Sequence, residues 1–365
     1  MTAQLMEETE KPKKALKRKI EDLGEEFGYL QRKCREFGIP VLIVVEGWSA
    51  AGKGSMINKI IQPLDPRGFK VTCIASPSRD EQLRPFLWRF WRRTPSAEKM
   101  AIFDRSWYRN LLDEVVDGNL SGEDLEKAYA DIRSFERQLR DSGTIIFKLF
   151  LNISKKEQAQ RLQTLRKNPN TSWRVDDGVL ARHYKYDEYK QASKEMFAET
   201  DVEDGAHWQE IDTTKFLPAT AKVLEILVTL LKNKVEKRKK GIKFNRNIPS
   251  AELPHFKTAP SLAKVDTSLS LQKDEYREKL FTRQKRIHEL HNELYRLRIP
   301  MVIVYEGWDA AGKGGNIRRL TEEMDPRGYE VIPIAAPNDV EKAHHYLWRF
   351  WTEFPKAGQL TIFDR

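Results

Sequence analysis

The sequence predicts an α/β fold, a parallel sheet with helices on both faces, built twice with the second copy cut short. Three observations carry that prediction. Short apolar runs alternate with stretches of helical periodicity, the pattern of strands covered on both sides. Two of those runs empty into nearly identical glycine-bracketed turns, E-G-W-S-A-A-G-K-G at 46–54 and E-G-W-D-A-A-G-K-G at 306–314. The pairs Gly47/Gly307, Asp65/Asp325, Trp88/Trp348 and Asp104/Asp364 all lie 260 residues apart, so the copies align without a gap from Ile39/Ile299 onward. About half of the aligned positions are identical, which marks a duplicated domain rather than a solenoid.

In order, Leu16, Ile20, Leu23, Phe27, Leu30, Cys34 and Phe37 recur in steps of four and three and define one face of a helix, expected to pack on its own sheet rather than on a partner helix. Val41 to Val45 reads as a buried strand. A helix follows over Lys53 to Ile61, then a turn at Asp65-Pro66-Arg67-Gly68 and a strand over Val71 to Ala75. Arg84 to Arg93 reads as a helix with aromatics inward and a basic outer face. Met100 to Asp104 is a third strand, ending in a carboxylate as Walker B strands do. Leu120 to Arg140 is helical, Thr144 to Leu151 is an apolar strand, and a helix runs on to about Lys167. Asn168 to Arg174 is polar and turn-forming, with the character of a lid. A long helix to about Glu199, a strand over Trp208 to Ile211 and a helix over Ala219 to Lys240 complete the copy. Tyr276, Leu280, Ile287, Leu290, Leu294 and Leu297 then repeat the opening helix.

The expected domains are 1–240, a linker over 241–272 rich in Pro, Ser and Thr, and the N-terminal part of a second domain over 273–365. A complete duplication would run to roughly 500 residues, so the 365 residues read as one and a half domains. The composition is 40% hydrophobic and 32% charged with a net charge of +10, which favours polyanionic partners and excludes a membrane-spanning protein. Two cysteines without metal-type spacing and no apolar leader read as a cytoplasmic, reduced protein. The run Lys237-Arg238-Lys239-Lys240 has no aromatic interleaving, which argues against nucleic acid and for a capped helix C-terminus.

The glycine turns have the layout of phosphate-binding loops: backbone N–H groups at a helix N-terminus face an anion, and Lys53 or Lys313 adds a charge. Gly54 and Gly314 stand where such loops usually carry a metal-binding hydroxyl. In the second copy Gly312, Lys313, Gly314 and Gly315 form the candidate cradle, Arg318, Arg319, Arg327 and Arg365 the candidate charges, and Asp309 and Asp364 the candidate metal ligands. Gly52, Lys53, Gly54, Arg67 and Arg105 are the first-copy phosphate candidates, with Asp104 as a metal ligand. Such parts suit phosphoryl transfer to a phosphate acceptor, which needs charge stabilisation and no general base.

Glu306 to Gly315, Asp325 to Gly328, Tyr346 to Trp351 and Phe363-Asp364-Arg365, with first-copy counterparts that include Phe103-Asp104-Arg105-Ser106-Trp107-Tyr108, resemble the polyphosphate kinase 2 family. The resemblance implies a P-loop kinase fold and transfer, dependent on Mg²⁺ with Mn²⁺ as the alternative ion, between inorganic polyphosphate and a nucleotide. Two-copy members resemble the branch that converts AMP to ADP with the C-terminal copy catalytic, which carries over Asp309, Lys313, Asp364 and Arg365 as essential. A homo-oligomer remains open. The first copy departs from the pattern: Ser49 stands at the place of Asp309, Ser55 at that of Gly315, and Asn168, Thr171 and Arg174 replace the lid's Asp, Lys and Lys. It is expected to be structural or regulatory and to retain anion binding, and the chain to be a fragment of low turnover. Two alternatives stay open, an ATP-dependent P-loop nucleotide or nucleoside kinase and a non-catalytic polyanion-binding protein.

Overall fold

The computed structural model describes residues 2–201, 206–240, 266 and 268–365. Of the expected linker, residues 241–265 and 267, with Pro249, Pro254 and Pro260, lie outside it. Two compact units are formed, one from Met1–Ser76, Arg93–Arg246 and Ala343–His345, the other from Pro77–Arg92, Asn247–Lys342 and Tyr346–Arg365.

The first repeat runs α1 (Thr2–Glu36), β1 (Val41–Gly47), α2 (Lys53–Ile61), β2 (Phe69–Cys73), α3 (Arg79–Gln82), α4 (Trp88–Trp91), β3 (Met100–Asp104), α5 (Trp107–Val116), α6 (Gly122–Asp141), β4 (Ile145–Asn152), α7 (Lys155–Lys167), α8 (Asp177–Tyr184), α9 (Tyr186–Thr200), β5 (Trp208–Asp212) and α10 (Phe216–Lys239). In the first unit all strand pairings are parallel and the order is β2-β3-β1-β4-β5. The chain leaves β1 in one direction, toward β2, and returns through β3 to β4 and β5 in the other. With right-handed crossovers that reversal puts helices on opposite faces. The packing agrees: α2 and α10 lie against each other and the sheet, while α5, α6 and α9 form a second group against β4. β1, β3 and β4 are buried almost throughout, as their unbroken apolar runs require.

The buried face of α1 is the expected stripe, with Phe27, Leu30 and Cys34 at 0 to 3% exposure. Its partner is chiefly α10. The expected sheet contact is replaced because α2 and α10 already cover that face. Ser106 caps α5, its Oγ accepting from the Tyr108 amide. The sequence reading had no helix there. The helix expected after the lid breaks at Lys185 into α8 and α9.

The second repeat runs α11 (Lys273–Leu297), β6 (Met301–Tyr305), α12 (Lys313–Thr321), β7 (Tyr329–Pro333), α13 (Asp339–Lys342), α14 (Trp348–Trp351) and β8 (Leu360–Asp364). Its parallel sheet has the order β6-β8-β7, the counterpart of β1-β3-β2. Ile317, Leu360 and Ile362 form its core, with Ile303, Leu320 and Tyr329 packed around them. In this unit Trp91 of α4 stacks on Trp351 of α14 at 5.8 Å, and the Trp88 and Trp348 indoles donate to Thr352 O and Trp91 O. The helix expected over Arg84 to Arg93 shrinks to one turn, because Pro85 lacks an amide hydrogen and drives Arg84 out of helical geometry. Arg84 and Arg92 lie over the Trp88 ring at 4.2 and 4.8 Å instead of forming an outer face.

Candidate phosphate-binding site

Parallel register alone assembles the site. Val45 pairs with Asp104 and Tyr305 with Asp364, so each carboxylate closes a strand directly beside the turn that follows its neighbour. The strand order reverses between β1 and β3, and ligands of open α/β sheets bind outside the carboxyl ends at such a point.

The two turns share their left-handed positions. Gly52 and Gly312 occupy the left-handed region at φ 93° and 86°, and Ala50 and Ala310 do so at 61° and 62°, a costly conformation for a residue with a Cβ. At Gly47 a Cβ would lie 2.2 Å from Leu151 O, so only glycine lets β4 approach. Lys53 Nζ donates to Gly47 O and Trp48 O at 2.8 and 2.9 Å; Lys313 Nζ donates to Gly307 O and Trp308 O at 2.8 and 3.0 Å. Each lysine is thus folded back over its own loop. Neither α2 nor α12 has a side-chain cap at its N-terminus, which leaves the first amides of each helix available to an anion. At Gly54 and Gly314 a Cβ would meet nothing within 4 Å, so the place of the usual hydroxyl is open space.

In the first unit the loop is embedded. Gln158 and Arg161 of α7 donate to Ser49 O and Ala50 O at 3.1 and 3.3 Å, and Thr213 Oγ1 donates to Ala51 O at 2.9 Å. Burial first, then the neighbouring Arg105 cation, lowers the Lys53 pKa to about 8. Glu46 is 1% exposed, accepts from Ser106 Oγ at 2.8 Å, and is raised by burial. Arg109 pairs with Asp113 at 2.7 Å. Arg182 is lowered by burial and then by Arg109, and its buried Nε has no partner among the described residues. Asp104 Oδ1 is likewise buried and without a hydrogen-bond partner. Such an orphaned carboxylate oxygen fits a divalent cation held from the strand end. No cluster of three or more His, Cys, Asp or Glu suited to a metal occurs among the described residues, so most of that ion's ligands would be phosphate oxygens and water.

In the second unit Asp309 and Lys313 sit on an exposed loop, and Asp364 ends β8 with Arg365 3.9 Å from Glu306. Arg319 reaches back along α12, its guanidinium 3.3 Å from where a Cβ on Gly315 would lie, near the helix N-terminus. Arg318 is exposed on the same helix. Arg67 and Arg327 need correction. They lie in the turns that precede β2 and β7, whose first residues are already about 13 Å along the sheet from the level of Asp104 and Asp364. Each is paired instead with the carboxylate two residues before it, Asp65 or Asp325. Arg109, Gln158, Arg161 and Arg182 escaped the sequence reading. Arg109 alone carried a signal, one helical turn after Arg105; the others come from 100 or more residues along the chain.

A family model described as polyphosphate kinase 2 matches residues 10–240 and 270–365. The polyphosphate:AMP phosphotransferase of Pseudomonas aeruginosa is 34% identical over 326 residues, covering 89% of this chain and 65% of that protein. The enzyme of the same name from Pseudomonas syringae pv. tomato is 33% identical over 329 residues, with the same coverage. This chain therefore spans 65% of the length of these relatives. A Pseudomonas aeruginosa crystal structure assigned to polyphosphate kinase 2 superposes with a TM-score of 0.78 at 32% identity, over 96% of this chain and 68% of that one. In sequence and in fold, the chain belongs to the polyphosphate kinase 2 family.

Proposed function

We propose that the protein moves a phosphoryl group between inorganic polyphosphate and a nucleotide, in the direction polyphosphate plus AMP to ADP, in the cytoplasm. The observation that carries this is the recurring juxtaposition of a lysine-capped loop with a strand-end carboxylate, Lys53 beside Asp104 and Lys313 beside Asp364. The relatives named above as polyphosphate:AMP phosphotransferases support the choice of substrates.

The chemistry is assigned to the second repeat, within the domain proposed over 273–365, because only there does a carboxylate, Asp309, accompany Asp364. These two residues would hold Mg²⁺, or Mn²⁺ in its place, and the ion would supply positive charge to the phosphates. The uncapped amides at Gly314 and Gly315 bind phosphate oxygens, and Lys313 leaves its two loop carbonyls to reach the anion. Arg319 and Arg365 add positive charge where it builds during transfer. An ionised phosphate acceptor needs no base, and none is offered. Arg67 and Arg327 take no part.

The experiment is ADP formation from AMP, polyphosphate and Mg²⁺. Product should require the polyphosphate and stop on chelation of the metal. ATP serving equally well as donor would assign the site to an ordinary nucleotide kinase.

A further inference from the structure

In the first repeat the loop keeps its lysine and its left-handed turn while the charge beside it changes. Ser49 stands where the second repeat has Asp309. Three successive loop carbonyls, at Ser49, Ala50 and Ala51, are tied by Gln158, Arg161 and Thr213. A trans peptide points its C=O and the following N–H in opposite directions, so the amides after Ser49 and Ala51 face away from those partners. The uncapped N-terminus of α2 follows directly in the chain. The loop is thereby held as a rigid concavity of N–H groups.

Around it stand Lys53, Arg105, Arg109 and Arg182. Arg105 and Arg109 each lower Lys53, and both lower Arg182, so these two arginines lie within electrostatic reach of Lys53 on one side and of Arg182 on the other. The carboxylates that face them are Glu46 from β1, Asp104 from β3 and Asp113 from α5. Glu46 is engaged by Ser106, and Asp113 by Arg109 and Tyr189. Gathering like charges in a half-buried site is unfavourable, and a polyanion in their midst relieves it. Arg182 Nε is buried and has no hydrogen-bond partner among the described residues.

We infer that the first repeat is a docking site for an inorganic phosphate chain, one that needs no divalent ion to bind and transfers nothing. A loop carboxylate makes metal-free binding of a polyanion unfavourable by like-charge repulsion, and the serine removes that obstacle. The same loss deprives the site of half its metal ligands. The inference rests on the phosphotransfer reading only for the choice of a phosphate chain as ligand. It extends that reading by giving the protein a second, metal-independent hold on the polymer.

The test is calorimetric titration of the full chain with inorganic tripolyphosphate in EDTA, with ATP as a parallel titrant. Binding is expected in EDTA, tighter for tripolyphosphate than for ATP, and reduced at least ~10-fold by Lys53→Ala and by Arg182→Gln, with Arg327→Gln without effect. Ser49→Asp should abolish the EDTA-resistant binding and let Mg²⁺ restore it, which separates lost folding from changed charge. No binding by the wild-type chain in EDTA, binding untouched by Lys53→Ala, tighter binding of ATP, or Ser49→Asp indistinguishable from wild type with and without Mg²⁺ would each overturn the inference. Because the readout is binding without metal, it stands or falls separately from ADP formation.

Discussion

Two copies of one loop stand in unlike surroundings. Around 46–54 the turn is enclosed: Trp48 is 8% exposed, stacks on Tyr186 at 4.2 Å and donates to Asn152, and α7 grips the backbone. Around 306–314 the left-handed alanine and glycine and the lysine contacts recur, yet Trp308 is 86% exposed. The shape of the loop is therefore a local property, written in its glycines and the αL alanines. What differs is everything that depends on neighbours: burial, the depressed lysine, and the set of cations. The two loops diverge through one residue, Ser49 against Asp309, and through the company the loop keeps.

The largest expected contrast concerns a buried pair confined to the first unit. Lys148 is fully buried and bonds Glu136 Oε2 at 3.2 Å and Thr200 O at 2.7 Å, while Tyr108 donates to the other Glu136 oxygen. Glu136→Ala leaves a buried ammonium without its partner and should cost about 3 to 5 kcal/mol. Urea titration should show the first unit melting early while the second keeps its midpoint; a common shift would mean that the units unfold as one. Next comes a matched pair of positions. Val44 is 0% exposed and Val304 58%. Val44→Ala should cost about 2 kcal/mol and Val304→Ala under ~0.5 kcal/mol, and equal costs would erase the contrast.

A smaller effect follows from Lys53. Its pKa near 8 lies below the unfolded value, so between about pH 8 and 10 the unfolded chain holds a proton that the folded one has released. The Lys53 contribution to the first unit's stability should rise with pH across that window, while anion affinity there falls as the charge is lost. Lys53→Met should remove both trends. The smallest effect is shared by the repeats. The Arg67 and Arg327 side chains and amides hold Asp65 and Asp325 at about 2, so their stabilisation is present above the ordinary carboxylate range and is lost as the pH falls toward 2. Asp65→Asn and Asp325→Asn should flatten that acid limb to a similar, modest extent.

Much of this was legible along the chain. β3 and α2 lie where the pattern put them, because an apolar run closed by a carboxylate, and a helix opened by Gly-Lys-Gly, are local signals. The α10 partner of α1 was not legible, since amphipathic periodicity names a buried face without naming what covers it. Arg67 and Arg327 were drawn into the cradle by charge alone; strand direction, visible only in the parallel register, puts them at the wrong end of the sheet. Gln158, Arg161 and Arg182 reach the first loop through the fold, and no spacing rule anticipates a helix brought back from more than 100 residues away.

The central claim is that transfer depends on the later loop and docking on the earlier one. Its most direct test is the rate of ADP formation from AMP, polyphosphate and Mg²⁺ for the wild-type chain and for Lys53→Ala and Lys313→Ala. The rate, even if slow, should fall about 100-fold or more with Lys313→Ala and persist with Lys53→Ala when polyphosphate is saturating. Activity abolished by Lys53→Ala and indifferent to Lys313→Ala would contradict it.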